Sequence, residues 1–373
     1  MPRFMCMYMV SVFVLCAADA PKTIADRLRA DDADKDGTVT KSEFKGPPQI
    51  FERFDKNSDG VIDAAELDAL KNIPFGTNAR GTNDGRPMPD RFERTDRAPM
   101  AMPDTIEYVR DVEYGKGGAV SLKLDYIRPK ERKSSLPAIV FIHGGGWKSG
   151  DKAQPIRNLV PFATNGYFCA SINYRLTDEA QFPAQIEDCK CAMRYLRAKA
   201  KELGIDGTRI GVWGSSAGGH LVALLGTSGD VKEFEGTGGW QNESSRVQAV
   251  VDFFGPSDLF TMGDSPSSMD HNAPDSPEAK LIGGALKENK AKADKASPIT
   301  YVSKDDPPFL IVHGDVDRTV PMQQSVVFEA ALKKMNVDVT LKIMAGEGHG
   351  FKSREPNELA MRFFERVLKG KKE

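Results

Sequence analysis

The stretch "TRIGVWGSSAGGHLVALLGTS", Thr208 to Ser228, joins two different periodicities. Its first seven residues, to Gly214, read as a buried strand. From Ala217 the apolar spacing is that of a helix. Between them lies G-x-S-x-G, with Ser216 at the centre and Gly214 and Gly218 on either side. Ser215 does not fit the pattern, because Trp213 and Ala217 stand where its glycines would be. A strand that turns sharply into a helix lifts the central hydroxyl out of the sheet, and close packing around the turn needs glycine. The hydroxyl then sits at a helix N-terminus, which favours developing negative charge. Ser216 is therefore the candidate nucleophile.

A serine hydroxyl needs a base, an orienting acid and a site for the oxyanion. The chain has five histidines. His349 lies in "GEGHGF", a glycine-rich loop after the last predicted strand, and is the expected base. His143 belongs to a glycine loop, His220 lies one helical turn past Ser216, His313 ends a strand, and His271 falls in an irregular segment; structural or loop-shaping roles are expected for these four. Asp315 and Asp317 share the loop "HGDVDRTVP". Asp317, further from the strand end, has the reach to meet His349, and Asp315 is expected to bind loop amides. Upstream, "HGGGW" from His143 to Trp147 follows a buried strand. The N–H groups of Gly145 and Gly146, with that of Ala217, are the expected oxyanion donors. Trp147 is a candidate wall of the substrate pocket.

Around these motifs, strands and helices alternate from Thr105 onward, after an early antiparallel pair, "IEYVRDVEY" and "VSLKLDYIRP". Strands such as "LPAIVFIHGG" and "PPFLIVHGD" are almost continuously apolar, which predicts a mostly parallel sheet with helices on both faces. Each catalytic motif falls at the C-terminal end of a predicted strand, where a parallel sheet brings loops together. Residues 256–306 interrupt the alternation and read as an insertion over those ends.

Ahead of this lies a small acidic unit, residues 21–72. "DADKDGTVTKSE" and "DKNSDGVIDAAE" both match D-x-[DN]-x-[DN]-G-x₅-E. Asp32, Asp34, Asp36, Thr38 (through its carbonyl) and Glu43 are the expected ligands of one cation. Asp55, Asn57, Asp59, Val61 (through its carbonyl) and Glu66 are those of a second. So many converging oxygens suit Ca²⁺ in a structural role. The loops start 23 residues apart, at Asp32 and Asp55, and "GPP" from Gly46 to Pro48 breaks the intervening helix. The unit resembles a paired EF-hand with dockerin-like spacing, although glutamate at the last loop position is the ordinary EF-hand choice. A metal-stapled module rather than a calcium switch is expected; a docking partner for it is not legible.

The order Ser216, Asp317, His349 is that of α/β-hydrolases. Residues 105–373 resemble that fold. "HGGGWKSGDK", "NYRL", "RIGVWGSSAGGHL", "SPEAKLIGG" and "HGDVDRTVP" are similar to the esterase branch that includes bifunctional feruloyl and acetyl-xylan esterases, with hormone-sensitive-lipase-like enzymes as relatives. "GSSAGG" departs from the usual "GDSAGG" of the latter. The resemblance implies an α/β fold, a carboxylic ester hydrolase without a catalytic cofactor, and a small-molecule or polysaccharide ester as substrate. Two alternatives stand beside it. One is a peptidase or formamidase with the same triad, although the N-terminal region is too short for the propeller of prolyl peptidases. The other is a calcium-dependent binding protein with an inert hydrolase unit.

The remaining features set the context. Residues 1–20 combine Arg3, an apolar run from Phe4 to Cys16 and Ala18-Asp19-Ala20, which reads as a secretory signal. Secretion or a periplasmic location is expected, with no transmembrane segment in the mature chain. Residues 73–104, rich in proline, glycine and arginine, read as a flexible linker. A net charge of -2 over 373 residues gives no reason to expect nucleic acid as a partner. Beyond the signal, Cys169, Cys189 and Cys191 form no disulfide framework and read as packing residues.

Overall fold

The computed structural model describes residues 24–29, 31–44, 51, 54, 55, 57, 59–69 and 102–371. The expected signal at 1–20, the break at Gly46–Pro48 and nearly all of the linker at 73–104 lie outside these residues. The chain divides into two units, Met1–Thr95 and Asp96–Glu373.

In the larger unit an eight-stranded sheet runs through β1 (Ile106–Gly117), β2 (Val120–Pro129), β3 (Leu136–Ile142), β4 (Phe168–Ile172), β5 (Ile205–Ser215), β6 (Ala249–Phe253), β7 (Phe309–Gly314) and β8 (Val339–Met344). Their spatial order is β8-β7-β6-β5-β3-β4-β2-β1. β3 to β8 are mutually parallel, while β1 pairs antiparallel with β2 and β2 with β4.

The apolar runs become central strands because both faces are covered. β3, β4, β6 and β7 are buried at every residue. Alternation along β3 sends Ala138, Val140 and Ile142 into one hydrophobic cluster and Ile139 and Phe141 into the other. Helices α2 (Ala184–Ala198), α3 (Ala217–Thr227) and α6 (Gln323–Lys334) contribute to the first cluster. Helices α1 (Ile156–Thr164) and α7 (Glu355–Lys369) contribute to the second. In α7 the buried Ala360, Phe363, Phe364 and Leu368 recur at helical spacing, and Gly370, with φ +65°, closes it. This helix lies so close to β5 that a Cβ on Gly211 would stand 2.6 Å from the Phe364 ring. Cys169, Cys189 and Cys191 are free and buried in the cores. The segment 256–306 carries α4 (Pro277–Ile282) and α5 (Lys290–Ala296), joined by turns, and hydrogen-bonds to the loop after β7. Among the described residues no helix is long and apolar enough to cross a membrane.

In the smaller unit, helix Ile24–Arg29 precedes the first acidic loop and helix Ala64–Ala69 ends the second. Strands Val39–Thr40 and Val61–Ile62 pair antiparallel, coupling the loops. Leu28, Val39, Phe51, Ile62 and Leu67 form its core.

Candidate active site and metal loops

At the end of β5 the backbone at Ser216 adopts φ 56°, ψ −124°, a strained conformation that places its side chain at the head of α3. The turn survives because its flanks are glycine: a Cβ on Gly214 would lie 2.2 Å from the Gly218 carbonyl oxygen, and one on Gly218 would lie 2.0 Å from that of Ile142. Ser216 N–H donates to the Phe253 carbonyl at 2.9 Å, which anchors the turn to β6. Ser215 stays in strand register opposite Phe253.

The structure brings Ser216, His349 and Asp317 together from three separate loops. His349 Nε2 lies 2.9 Å from Ser216 Oγ, and Nδ1 lies 2.8 Å from Asp317 Oδ2. A carboxylate only accepts, so Nδ1 carries the hydrogen and Nε2 accepts from the serine hydroxyl. The Phe254 ring, 4.7 Å from that of His349, packs on the imidazole. The His349 side chain keeps 23% exposure, whereas that of Asp317 is fully buried.

Burial alone would raise the Asp317 carboxyl. Hydrogen bonds from His313 and His349, and from the Thr319 N–H, outweigh burial and hold it well below the usual carboxylate range. Its Oδ1 accepts from the N–H groups of Thr319 at 2.8 Å and Val320 at 3.0 Å. Its Oδ2 lies 3.3 Å from His313 Nε2 as well as facing His349. Asp315, at the same loop's surface, accepts from Gly346 N–H at 2.7 Å.

Gly145 and Gly146 turn at φ +111° and +59°, in the loop between β3 and α1. Among the described residues, the N–H groups of Gly145, Gly146 and Ala217 meet no hydrogen-bond acceptor. Such free donors are what an oxyanion requires. Trp147, expected at a pocket wall, is 2% exposed, and its indole N–H donates to His220 Nδ1 at 3.2 Å. It stands in the core, and its aromatic character serves packing there. His220 in turn donates from Nε2 to the Ala296 carbonyl at 2.7 Å, and burial pushes its pKa down to about 4. His143 stacks on Tyr174, whose hydroxyl donates to the His143 carbonyl.

Two groups near Ser216, His349 and Asp317 were not expected there from the sequence. His313 Nε2 reaches Asp317 Oδ2 at 3.3 Å, and its place at a strand end gave no sign of that contact. Asp252, 1% exposed on β6, accepts from Gly255 N–H at 2.9 Å, and burial pushes its carboxyl up to about 6. Nothing in the local sequence distinguishes it from an edge aspartate.

In the smaller unit the loop geometry repeats. Gly37 and Gly60 both turn at φ +92°. Gly37 N–H donates to Asp32 and Gly60 N–H to Asp55. Side-chain oxygens of Asp32, Asp34 and Asp36 lie within 4.8 Å of one another, and buried Asp32 Oδ1 has no hydrogen-bond partner among the described residues. Thr38 and Val61 lie just at the paired strands, where Val61 faces Thr40. Glu43 folds back to accept from Ala33 and Thr40 N–H, and Glu66 from Asn57 and Asp63 N–H. Converging carboxylates around an unsatisfied oxygen fit a hard cation.

Against known proteins, the BD-FAE family model matches residues 124–332, and an EF-hand model matches 24–46 and 49–71. The chain is 31% identical to the probable carboxylic ester hydrolase LipM of Mycobacterium tuberculosis, over 61% of this chain and 52% of that protein. It thus spans about half the length of the curated relative it matches. Among solved structures, a truncated carbohydrate esterase from gut microbiota superposes with a TM-score of 0.66 at 35% identity, covering 71% of this chain and 98% of that one. The propionate-bound Est2 esterase of Thermogutta terrifontis gives 0.59 at 28% identity, covering 71% and 95%.

Proposed function

Because the chain belongs to the BD-FAE family of α/β-hydrolases and carries an EF-hand pair ahead of that unit, we propose that it is a secreted serine esterase whose substrates are acyl or feruloyl esters on polysaccharide. One observation carries the esterase reading: Ser216 Oγ lies 2.9 Å from an imidazole whose far nitrogen faces a buried carboxylate. The free N–H groups of Gly145, Gly146 and Ala217 support it. The carbohydrate part rests on the likeness to the gut carbohydrate esterase, and secretion on the apolar N-terminal run.

In the mechanism, Ser216 Oγ attacks the ester carbonyl carbon while its proton passes to His349 Nε2. The carbonyl oxygen gains negative charge, which the backbone donors bind. Collapse of this intermediate expels the alcohol, which takes the proton from His349 and leaves an acyl-Ser216 ester. Water then attacks that ester with His349 again as base, releasing the acid and restoring the serine. Asp317 holds the imidazole in the required tautomer and stabilises its transient positive charge.

Asp32, Asp34, Asp36, Thr38 and Glu43, and their counterparts Asp55, Asn57, Asp59, Val61 and Glu66, would hold two Ca²⁺ ions. When bound, calcium neutralises the converging carboxylates and ties each loop into one shape. Its role is structural, with no part in the ester chemistry.

A panel of acetylated xylan, feruloyl esters and p-nitrophenyl acetate tests the reading. Release of acetate or ferulate from the polysaccharide substrates is expected. Turnover confined to small aryl esters would sink the polysaccharide part, and no turnover on any ester would sink the whole.

A further inference from the structure

Asp317 is held by two peptide units as well as by two histidines, and the far ends of both peptides are held by the segment 256–306. Thr319 N–H, which donates to Asp317 Oδ1, belongs to the peptide whose carbonyl is that of Arg318. That carbonyl accepts from Ser267 Oγ at 2.9 Å, Ser268 N at 2.7 Å and Ser268 Oγ at 2.8 Å. Val320 N–H, the second donor to Oδ1, belongs to the peptide whose carbonyl is that of Thr319. That carbonyl lies 3.0 Å from His271 Nε2.

His271 is 1% exposed, and on its other side Nδ1 stands 3.1 Å from Glu278 Oε1, itself 2% exposed in the first turn of α4. The pair is close but imperfectly aligned: neither His271 Nδ1 nor Glu278 Oε2 makes a hydrogen bond among the described residues. The proton count follows from the acceptors. Thr319 O can only accept, so Nε2 carries a hydrogen, and Ser267 Oγ, which donates to Arg318, accepts a share of it at 3.0 Å. Nδ1 faces a Glu278 carboxylate oxygen at 3.1 Å, and a second hydrogen there makes the ring an imidazolium beside its counter-charge. Burial alone would lower the His271 pKa, but the Glu278 carboxylate, the Thr319 carbonyl and neighbouring Asp270 outweigh it and raise it.

A cation donating to one end of a peptide polarises its N–H at the other end and strengthens the bond made there. An unpaired charge at this depth is strongly disfavoured, so an imidazolium here requires its carboxylate. The Glu278 helix also begins against the glycine loop: a Cβ on Gly146 would lie 3.3 Å from Pro277 Cβ. We infer that His271 and Glu278 form a positioning dyad that fixes Asp317 through the Thr319–Val320 peptide. The triad acid is thereby set by a second histidine–carboxylate pair that touches no substrate. The inference rests on the esterase reading for its kinetic consequences.

Its test is Glu278→Gln in the full-length chain, compared with wild type on p-nitrophenyl acetate and by proton NMR. The expected result is a kcat about tenfold lower with KM within about twofold, the scale on which outer partners of catalytic groups act. An alkaline limb, where His271 loses its second proton, should move to lower pH in the variant. The downfield resonance of the His349 Nδ1 hydrogen, shared with Asp317, should shift. A variant that melts earlier but keeps kcat, the alkaline limb and that resonance would reduce the pair to a structural brace and overturn the inference. If E278Q does not fold, Ser267→Ala removes a donor from the Arg318 carbonyl and an acceptor from His271 Nε2 while leaving both ionisable side chains of the pair in place. It should move the same resonance by a smaller amount, and no movement there also overturns the inference. Absence of wild-type turnover on any ester would retire the esterase reading, while the resonance comparison would still decide the dyad.

Discussion

Asp317→Asn is a substitution of nearly the same shape whose outcome the surrounding donors dictate. Asp317 Oδ1 accepts two backbone N–H groups, from Thr319 and Val320. In the variant only the amide oxygen can occupy that position, because an amide nitrogen there would face two donors. The amide NH₂ is therefore turned toward His349 Nδ1, and also toward His313 Nε2, 3.3 Å from the oxygen it replaces. His349 Nδ1 must then accept, its hydrogen moves to Nε2, and the nitrogen facing Ser216 can no longer take a proton. The wrong tautomer costs about 10³–10⁴ in kcat for triads of this type, or about 4–5.5 kcal/mol of transition-state stabilisation. Steady-state hydrolysis of p-nitrophenyl acetate measures it, with circular dichroism to establish folding. Asp315→Asn is the control: Asp315 accepts one exposed N–H from Gly346, and its variant should stay within about twofold of wild type. A folded D317N enzyme within tenfold of wild type would refute the tautomer argument.

Three further outcomes follow from the packing and the buried charges. Asp252, with a carboxyl pushed up to about 6, holds a proton that the unfolded chain releases at an ordinary value near 3.9. That contribution to stability is full below about pH 4 and is lost as pH rises through 6. Asp252→Asn should therefore gain on wild type by about 3 kcal/mol between pH 4 and 8 in urea melts, and a pH-independent difference would contradict it. Gly211→Ala, which puts a Cβ 2.6 Å from the Phe364 ring, should destabilise the larger unit by about 1–3 kcal/mol; an unchanged urea midpoint would show that α7 moves freely. Calorimetry should find two Ca²⁺ sites in wild type and one in Asp32→Ala, with chelator lowering thermal stability and leaving ester turnover intact; no binding in wild type would remove the metal from the account.

The fold was legible because the central strands announce themselves twice. Runs such as "LPAIVFI" are too apolar for a sheet with one wet face, and each ends where a glycine-rich motif begins. Chain order then placed Ser216, Asp317 and His349 at one edge of a parallel sheet, where His349 lies 2.9 Å from Ser216 and 2.8 Å from Asp317. What escaped was carried by long-range contacts without a local pattern. His271 meets Thr319 across 48 residues, and both lie in irregular segments where no periodicity fixes direction. His313 was readable as a strand end but not as a partner of Asp317, because the turn that folds the loop back is set by Asp317's own bonds to Thr319 and Val320. An aromatic residue after a glycine loop suits a pocket wall or a core equally well, and the indole bond from Trp147 to His220 became visible only in three dimensions.

The account depends most directly on Ser216, and stoichiometric labelling reads it in one step. Treating the protein with an aryl phosphonate and mapping the adduct by peptide mass spectrometry should give one modification, on Ser216, with turnover of p-nitrophenyl acetate lost in proportion. Ser216→Ala should take up no label and hydrolyse the ester slower by several orders of magnitude. Label on Ser215, or a folded Ser216→Ala protein with undiminished turnover, would contradict the account.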